Sequence, residues 1–258
     1  MSVAYKSLLF FHIGIGFVSL VLFWIPVMVK KGSAIHIRTG HWFAKAMYAV
    51  GFSALALSLM LMIDPLGFKF SGTSFSPEER SNVITNANDI GLFLLSISIL
   101  VLVGVRNGLQ AARAKGNHAL MRRLDNLTIN TALLAVGVWL GITATGNSPM
   151  SVLFYIFSCL SICTAIINLR FCLKSSATRS EQIVAHLTSI ISAGIGSHTA
   201  FFVFGANRIL AEFLTGYVIV IPWVLPSIIG TAIILRQAKR YRATPLPQKK
   251  PPHNFKEL

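Results

Sequence analysis

Seven apolar segments constrain the fold of this chain more than any other feature of its sequence. Each is close to the ~20 residues that cross a bilayer core, and in lipid only an α-helix satisfies every backbone polar group within one segment. The sequence therefore predicts an all-α, polytopic transmembrane bundle within residues 1–238, with seven spans at about 8–29, 42–63, 90–105, 127–145, 150–173, 183–204 and 213–235. We expect the first segment to be retained as a helix rather than cleaved as a signal peptide, because it is long and ends at Lys30 and Lys31.

Composition supports a membrane protein. Hydrophobic residues make up 54% of the chain and charged residues 12%, about half of the ~25% charged residues of soluble domains. The predicted spans hold almost no charged residue at depth, which argues against a cation-coupled carrier. The seventh span has no Lys for a retinal Schiff base. Three cysteines share one apolar segment without a CxxC pattern, so we expect neither a disulfide framework nor a zinc site at Cys159, Cys163 and Cys172.

The basic residues predict the orientation of the chain. Seven spans leave only four Lys or Arg on the side of the N-terminus: Lys6, Lys69, Arg80 and Arg208. The other nineteen of the 23 lie on the opposite side, which the positive-inside rule places in the cytoplasm. We therefore expect the N-terminus outside, the C-terminus inside, and a basic, proline-containing cytoplasmic tail at 239–258. The nineteen basic residues on the cytoplasmic side predict contact with anionic lipid headgroups rather than with nucleic acid.

The longest loop between predicted spans, 64–89, has one local signal. Ser76, Pro77 and Glu79 stand in the order of a capping box with proline at the first helical position. We expect a short helix to start there and to run towards the third span. Such a helix is either a lid over an outer cavity or a plain surface connector.

Histidines are the main candidates for chemistry inside the spans. The predicted topology sorts them by depth into an outer pair, His12 with His198, and an inner pair, His186 with either His41 or His36. The twelve residues between His186 and His198 correspond to ~18 Å of helix. Two depth-matched pairs are what a transmembrane cytochrome with two bis-histidine haem b groups requires.

Two glycines support the outer pair. Gly16 follows His12 by four residues, and Gly194 precedes His198 by four, so each lies on the face of its histidine, where the missing side chain leaves room for a flat macrocycle. The same glycines also fit close helix packing, and a lone histidine within a span is commonly an interhelical hydrogen-bonding residue. We therefore keep two hypotheses: transmembrane electron transfer through haem b, or a non-enzymatic binding protein, carrier or accessory subunit of a larger membrane complex.

A second group of polar residues is predicted at the inner ends of the fourth and fifth spans. Asp125 and Arg170 are the natural charge pair there, and the amides of neighbouring positions complete a polar network that also contains Asn126, Asn130 and Asn168. This network is either a structural clasp between two antiparallel helices or a binding site that faces the cytoplasm.

One stretch resembles a family of uncharacterised bacterial polytopic membrane proteins, known only as a domain of unknown function. The shared pattern is a histidine in the first helix, here His12, then Lys-Lys-Gly-Ser at 30–33 and an entry to the second helix through His36 and Gly40. The resemblance covers about fifty residues. It implies the bacterial inner membrane and no established activity, and it favours His36 over His41 as the inner partner.

Overall fold

The computed structural model describes residues 1–145, 150–205, 218 and 221–243. Within these ranges the chain is helical and contains no β-strand. The helices are α1 (Val3–Met28), α2 (Ala34–Ile63), α3 (Pro65–Phe68), α4 (Pro77–Ala114), α5 (Leu124–Thr143), α6 (Ser151–Leu173), α7 (Arg179–Ala200) and α8 (Ile221–Ala243). A 3₁₀ turn at His118–Arg122 precedes α5, and a π turn at Phe201–Gly205 extends α7.

Seven of the helices are long and apolar enough to cross a membrane, all except α3. The predicted all-α, polytopic fold with seven spans is therefore confirmed. Part of the seventh predicted span, 213–217 and 219–220, lies outside the described residues, as does 244–258 of the predicted tail.

Two predicted spans, 42–63 and 90–105, are shorter than the helices that contain them, most clearly in α4. The apolar segment 90–105 lies inside a helix of 38 residues, Pro77–Ala114. This helix starts at the predicted capping box, in which Ser76 Oγ accepts from the Glu79 N–H and the Glu79 carboxylate accepts from the Ser76 N–H. It ends at Lys115 in the left-handed conformation (φ 45°), followed by Gly116 (φ 98°). The capping box at the start of this helix is confirmed, and the helix that it begins is α4 itself.

Helix α4 lies at the centre of the bundle. It packs against α2, α5 and α7, while α1 packs mainly on α2, α6 on α5, and α8 on α7. Glycines bring α4 and α7 close together, because a Cβ atom at Gly104 would lie 3.2 Å from the Ala193 Cβ and one at Gly108 would lie 2.6 Å from Ile190. Small residues at such positions let helix backbones approach each other in lipid.

Six ends of the described helices lie together at one end of the bundle, which we call the basic end. There α1, α4 and α6 end and α2, α5 and α7 begin, and side chains connect these ends across the bundle. His36 contacts the Pro26 carbonyl, Arg106 contacts Asp125, and the Gln182 amide oxygen accepts from the Gly116 N–H. The predicted orientation places this end in the cytoplasm.

Candidate functional site: histidines of the bundle

The structure does not bring the predicted outer pair together. His12 bonds through Nδ1 to Ser53 Oγ on α2, at 2.9 Å. His198 has both ring nitrogens engaged elsewhere: Nδ1 lies 2.8 Å from the Gly194 carbonyl oxygen, and Nε2 accepts from Trp24 Nε1 at 3.1 Å. Trp24 follows His12 by twelve residues, or ~18 Å along α1. The two imidazoles therefore lie at different levels of α1 and form hydrogen bonds with different helices: His12 with α2, and His198 of α7 with α1.

The glycines predicted to make room for a macrocycle have other surroundings. The space over Gly194 is filled by the ring of Phe23, whose Cε2 atom lies 2.2 Å from where a Cβ would stand. No heavy atom lies within 4 Å of the corresponding position at Gly16. Gly194 thus allows α1 and α7 to pack through an aromatic ring, and no slot lined by both glycines is present.

At the basic end, the structure separates His36 from His41. His36 lies in the first turn of α2 and turns towards the bundle, where Nδ1 lies 3.0 Å from the Pro26 carbonyl oxygen of α1. His41 is exposed, and its Nδ1 bonds to the Ile37 carbonyl oxygen of its own helix. Five residues rotate a helix by ~140° beyond one full turn, so only one of the two can face the interior.

His186 of α7 lies close enough to His36 for the two rings to interact electrostatically. Its Nδ1 lies 2.8 Å from the Gly108 carbonyl oxygen of α4, and it interacts electrostatically with His36 and with Arg179. Of the two partners that the sequence left open for His186, His36 and His41, the structure places His36 beside it. The structure places His36, the residue favoured by the family resemblance, on the interior face.

Hydrogen bonding fixes the tautomers of both rings. A carbonyl oxygen only accepts, so Nδ1 of His36 and of His186 carries a proton, and in the neutral ring the lone pair is on Nε2. Among the described residues, no hydrogen bond to either Nε2 is found. An imidazole that donates one ring N–H to a main-chain carbonyl is the usual arrangement of a metal-ligating histidine.

Two cations lie beside these imidazoles. Lys31 Nζ donates to the Pro26 carbonyl oxygen at 2.9 Å, the same oxygen that accepts from His36. Burial lowers the pKa of the Lys31 ammonium from its ordinary value. On the other side, Arg179 donates to the Ala112 carbonyl at 3.3 Å and interacts electrostatically with His186. The site is therefore two imidazoles, each with one cation near it: Lys31 near His36 and Arg179 near His186.

The second predicted polar group exists, but with different partners. Asp125 contacts Arg106 of α4 and lies 3.5 Å from Arg123; it does not pair with Arg170, which is exposed. The predicted Asp125–Arg170 pair is wrong because α4 packs against α5 and brings Arg106 to the carboxylate.

Asparagine side chains of α4 and α5 form the rest of this second polar group. Asn107 and Asn130 form two reciprocal bonds of 3.1 and 3.2 Å, and Asn126 Nδ2 donates to the Met121 carbonyl and to Cys172 Sγ. Helix α6 contributes Cys172 rather than Asn168. All three asparagines are buried, and their mutual bonding is that of a clasp between helices.

Several residues of the basic end escaped sequence reasoning. His118, which lies between the third and fourth predicted spans, is buried in the 3₁₀ turn, and its Nε2 lies 2.8 Å from the Phe171 carbonyl oxygen. Lys31 and Arg179 were counted as topology signals, and Asn107 lies in α4 beyond the predicted third span. The sequence signal for Arg106 and Asn107 was their position: both are polar and directly follow the apolar segment 90–105.

No protein-family model matches this chain, and no curated protein or solved structure is significantly similar to it. Within the described residues, no group of three or more His, Cys, Asp or Glu side chains could hold a bare metal ion. What the site offers is a pair of imidazoles with free Nε2 atoms, not a complete ion cage.

Proposed function

We propose that this chain is an integral protein of the bacterial inner membrane that binds one haem b at the cytoplasmic end of its bundle, where His36 and His186 would hold the iron. The observation that carries this proposal is the shared state of the two rings. Each donates Nδ1–H to a main-chain carbonyl of another helix, and each keeps an unbonded Nε2.

The number of ligands favours haem over a bare ion. Structural and catalytic zinc sites require three or four protein ligands, whereas a haem iron already has four porphyrin nitrogens and needs only two imidazoles. Haem also carries two propionates, and Lys31 and Arg179 supply two cations beside the histidines. The donor set and the charges of the site thus fit haem b.

The residues of the site have separate roles in this proposal. The Pro26 and Gly108 carbonyls fix the tautomers and raise the basicity of the imidazoles. Lys31 and Arg179 balance the charge of the propionates. When bound, the haem supplies reversible one-electron chemistry at the cytoplasmic side of the membrane. A second centre at His12 and His198 is not included, because those rings bond to Ser53 and Trp24.

The test is a pyridine haemochrome spectrum of the full chain, expressed with excess haem precursor and purified in detergent. We expect about one haem per chain, with a low-spin, bis-histidine spectrum. His36→Gly and His186→Gly should each abolish the low-spin form, and added imidazole should restore it. His41→Gly is the matched control, since it changes an exposed histidine on the same helix and should leave the spectrum unchanged.

Folded protein without haem, or a haem signal unaffected by both variants, would end this proposal. The second candidate function is then a non-enzymatic binding protein or accessory subunit. One observation favours it: His12, His36, His186 and His198 each form a hydrogen bond between two helices, which is a structural use of histidine in membranes.

A further inference from the structure

An open groove of about 420 Å³ lies on the outer surface of the bundle between α1 and α2. It is separate from the histidine site and faces the surrounding membrane. It is lined by Ile15, Val18, Leu22, Trp42, Lys45 and Ala46. Lys45 of α2 is thus the one charged residue among five apolar lining residues.

The groove changes from polar to apolar along its length. Trp42 begins the apolar part of α2, at the level where aromatic residues mark the membrane interface. The Arg38 guanidinium lies over the Trp42 ring, 5.2 Å from its centroid, and Lys45 lies one turn further along α2. From Leu22 to Ile15 the α1 wall then runs ~10 Å towards the middle of the membrane. The contacts of His36 with Pro26 and of His12 with Ser53 place Lys45 about level with Val18. A lysine at this depth extends its flexible stem along the apolar wall and its ammonium towards the interface. Arg38 thus marks the interface end of the groove, and its deeper part, towards Ile15, is apolar.

The charges at the polar end have no acidic counterpart nearby in sequence. Residues 1–63, which include all of α1 and α2, contain no Asp or Glu. Neither Arg38 nor Lys45 belongs to the ion pairs found among the described residues, which join Arg106, Arg123 and Lys174 to carboxylates. The groove therefore presents two cations to whatever lies in the adjoining leaflet.

We infer that the groove is a binding site for one anionic phospholipid of the cytoplasmic leaflet. Its headgroup phosphate lies against Lys45 and Arg38, and one acyl chain follows Leu22, Val18 and Ile15. Both the order of polarity along the groove and its charge match a lipid in that leaflet. A free phosphate would leave the apolar walls without a partner. The inference is independent of haem binding.

Native mass spectrometry of the delipidated full chain tests this site. Phosphatidylglycerol and phosphatidylcholine with identical acyl chains are titrated separately, and we expect one phosphatidylglycerol to bind more tightly than any phosphatidylcholine. Lys45→Gln should weaken that binding about fivefold, the effect of the ~1 kcal/mol that one cation contributes at an anionic surface. Val18→Trp, a change at an exposed position, should block the apolar part and prevent binding even though both cations remain.

The matched control is Lys30→Gln, which removes an exposed cation from the same end of the bundle without touching the groove. It should leave the affinity unchanged. Equal binding of the two lipids would overturn the inference. An effect of Lys30→Gln as large as that of Lys45→Gln would also overturn it, since the attraction would then be general. Displacement of the lipid by inorganic phosphate would assign the cations to a phosphate site instead.

Discussion

The contact between Gly194 and Phe23 can be tested by adding a single methyl group. In Gly194→Ala, the new Cβ would stand 2.2 Å from Phe23 Cε2 and 2.6 Å from Cδ2. The Phe23 ring is 4% exposed. Its centroid lies 5.2 to 5.6 Å from those of the neighbouring rings, Trp24, Phe43 and His198. The ring cannot rotate away without displacing them.

Overpacking of this kind costs about 1–3 kcal/mol. We expect Gly194→Ala to lower the free energy of unfolding by that amount, measured by SDS titration in detergent micelles. In a Phe23→Leu background the same substitution should cost much less, because the clashing ring atoms are gone. Gly196→Ala is the matched control, since no heavy atom lies within 4 Å of its Cβ position.

Two results would refute this reasoning. Gly194→Ala could be as stable as the wild type, in which case the space over Gly194 is open and available to a ligand. Alternatively, Gly194→Ala could cost the same amount with and without the Phe23 ring, and then the destabilisation would have another origin. Only the first result would restore the expectation that this glycine makes room for a cofactor.

Three further predictions concern the clasp and the capping box. Asn130→Ala should lower the free energy of unfolding by about 1–3 kcal/mol in the same titration, because it leaves the buried Asn107 amide unpaired. Arg106→Gln should cost at most about 1 kcal/mol, as expected for a partly exposed ion pair, while Arg170→Gln should change nothing; equal effects would contradict the pairing. Ser76→Ala should speed amide hydrogen exchange in the first turn of α4, measured by mass spectrometry, and leave the rest of the bundle unaffected.

Hydropathy predicted the helices well and their ends poorly. A lipid core of ~30 Å selects about twenty apolar residues, and the apolar segments 42–63 and 90–105 were therefore recognisable. Helix α2 nevertheless begins at Ala34, since Ser33 accepts a hydrogen bond from the His36 N–H. Helix α4 continues past the lipid core because its polar residues, such as Asn107 and Gln110, are buried against other helices.

Neither the relative depth of residues on different helices nor the rotation of each helix could be predicted from the apolar segments. His12 and His198 were matched by depth, but His198 contacts Trp24, ~18 Å along α1 from His12, and His12 bonds to Ser53 of α2. His36 and His41 are five residues apart on a helix whose faces are similarly apolar, so the sequence left both open. Whether Asp125 pairs with Arg106 or with Arg170 depends on how α4 and α6 pack against α5. This packing brings together residues far apart in sequence, so the local sequence could not predict it.

The membrane threading underlies both the haem and the lipid proposals, and fusions with reporters test it most directly. Alkaline phosphatase is active only when exported, and green fluorescent protein serves as the cytoplasmic reporter. We predict active phosphatase when it is fused after Thr73, inactive phosphatase after Gly116, and a fluorescent protein at the C-terminus. Active phosphatase after Gly116 would place the basic end outside the cell and contradict the account.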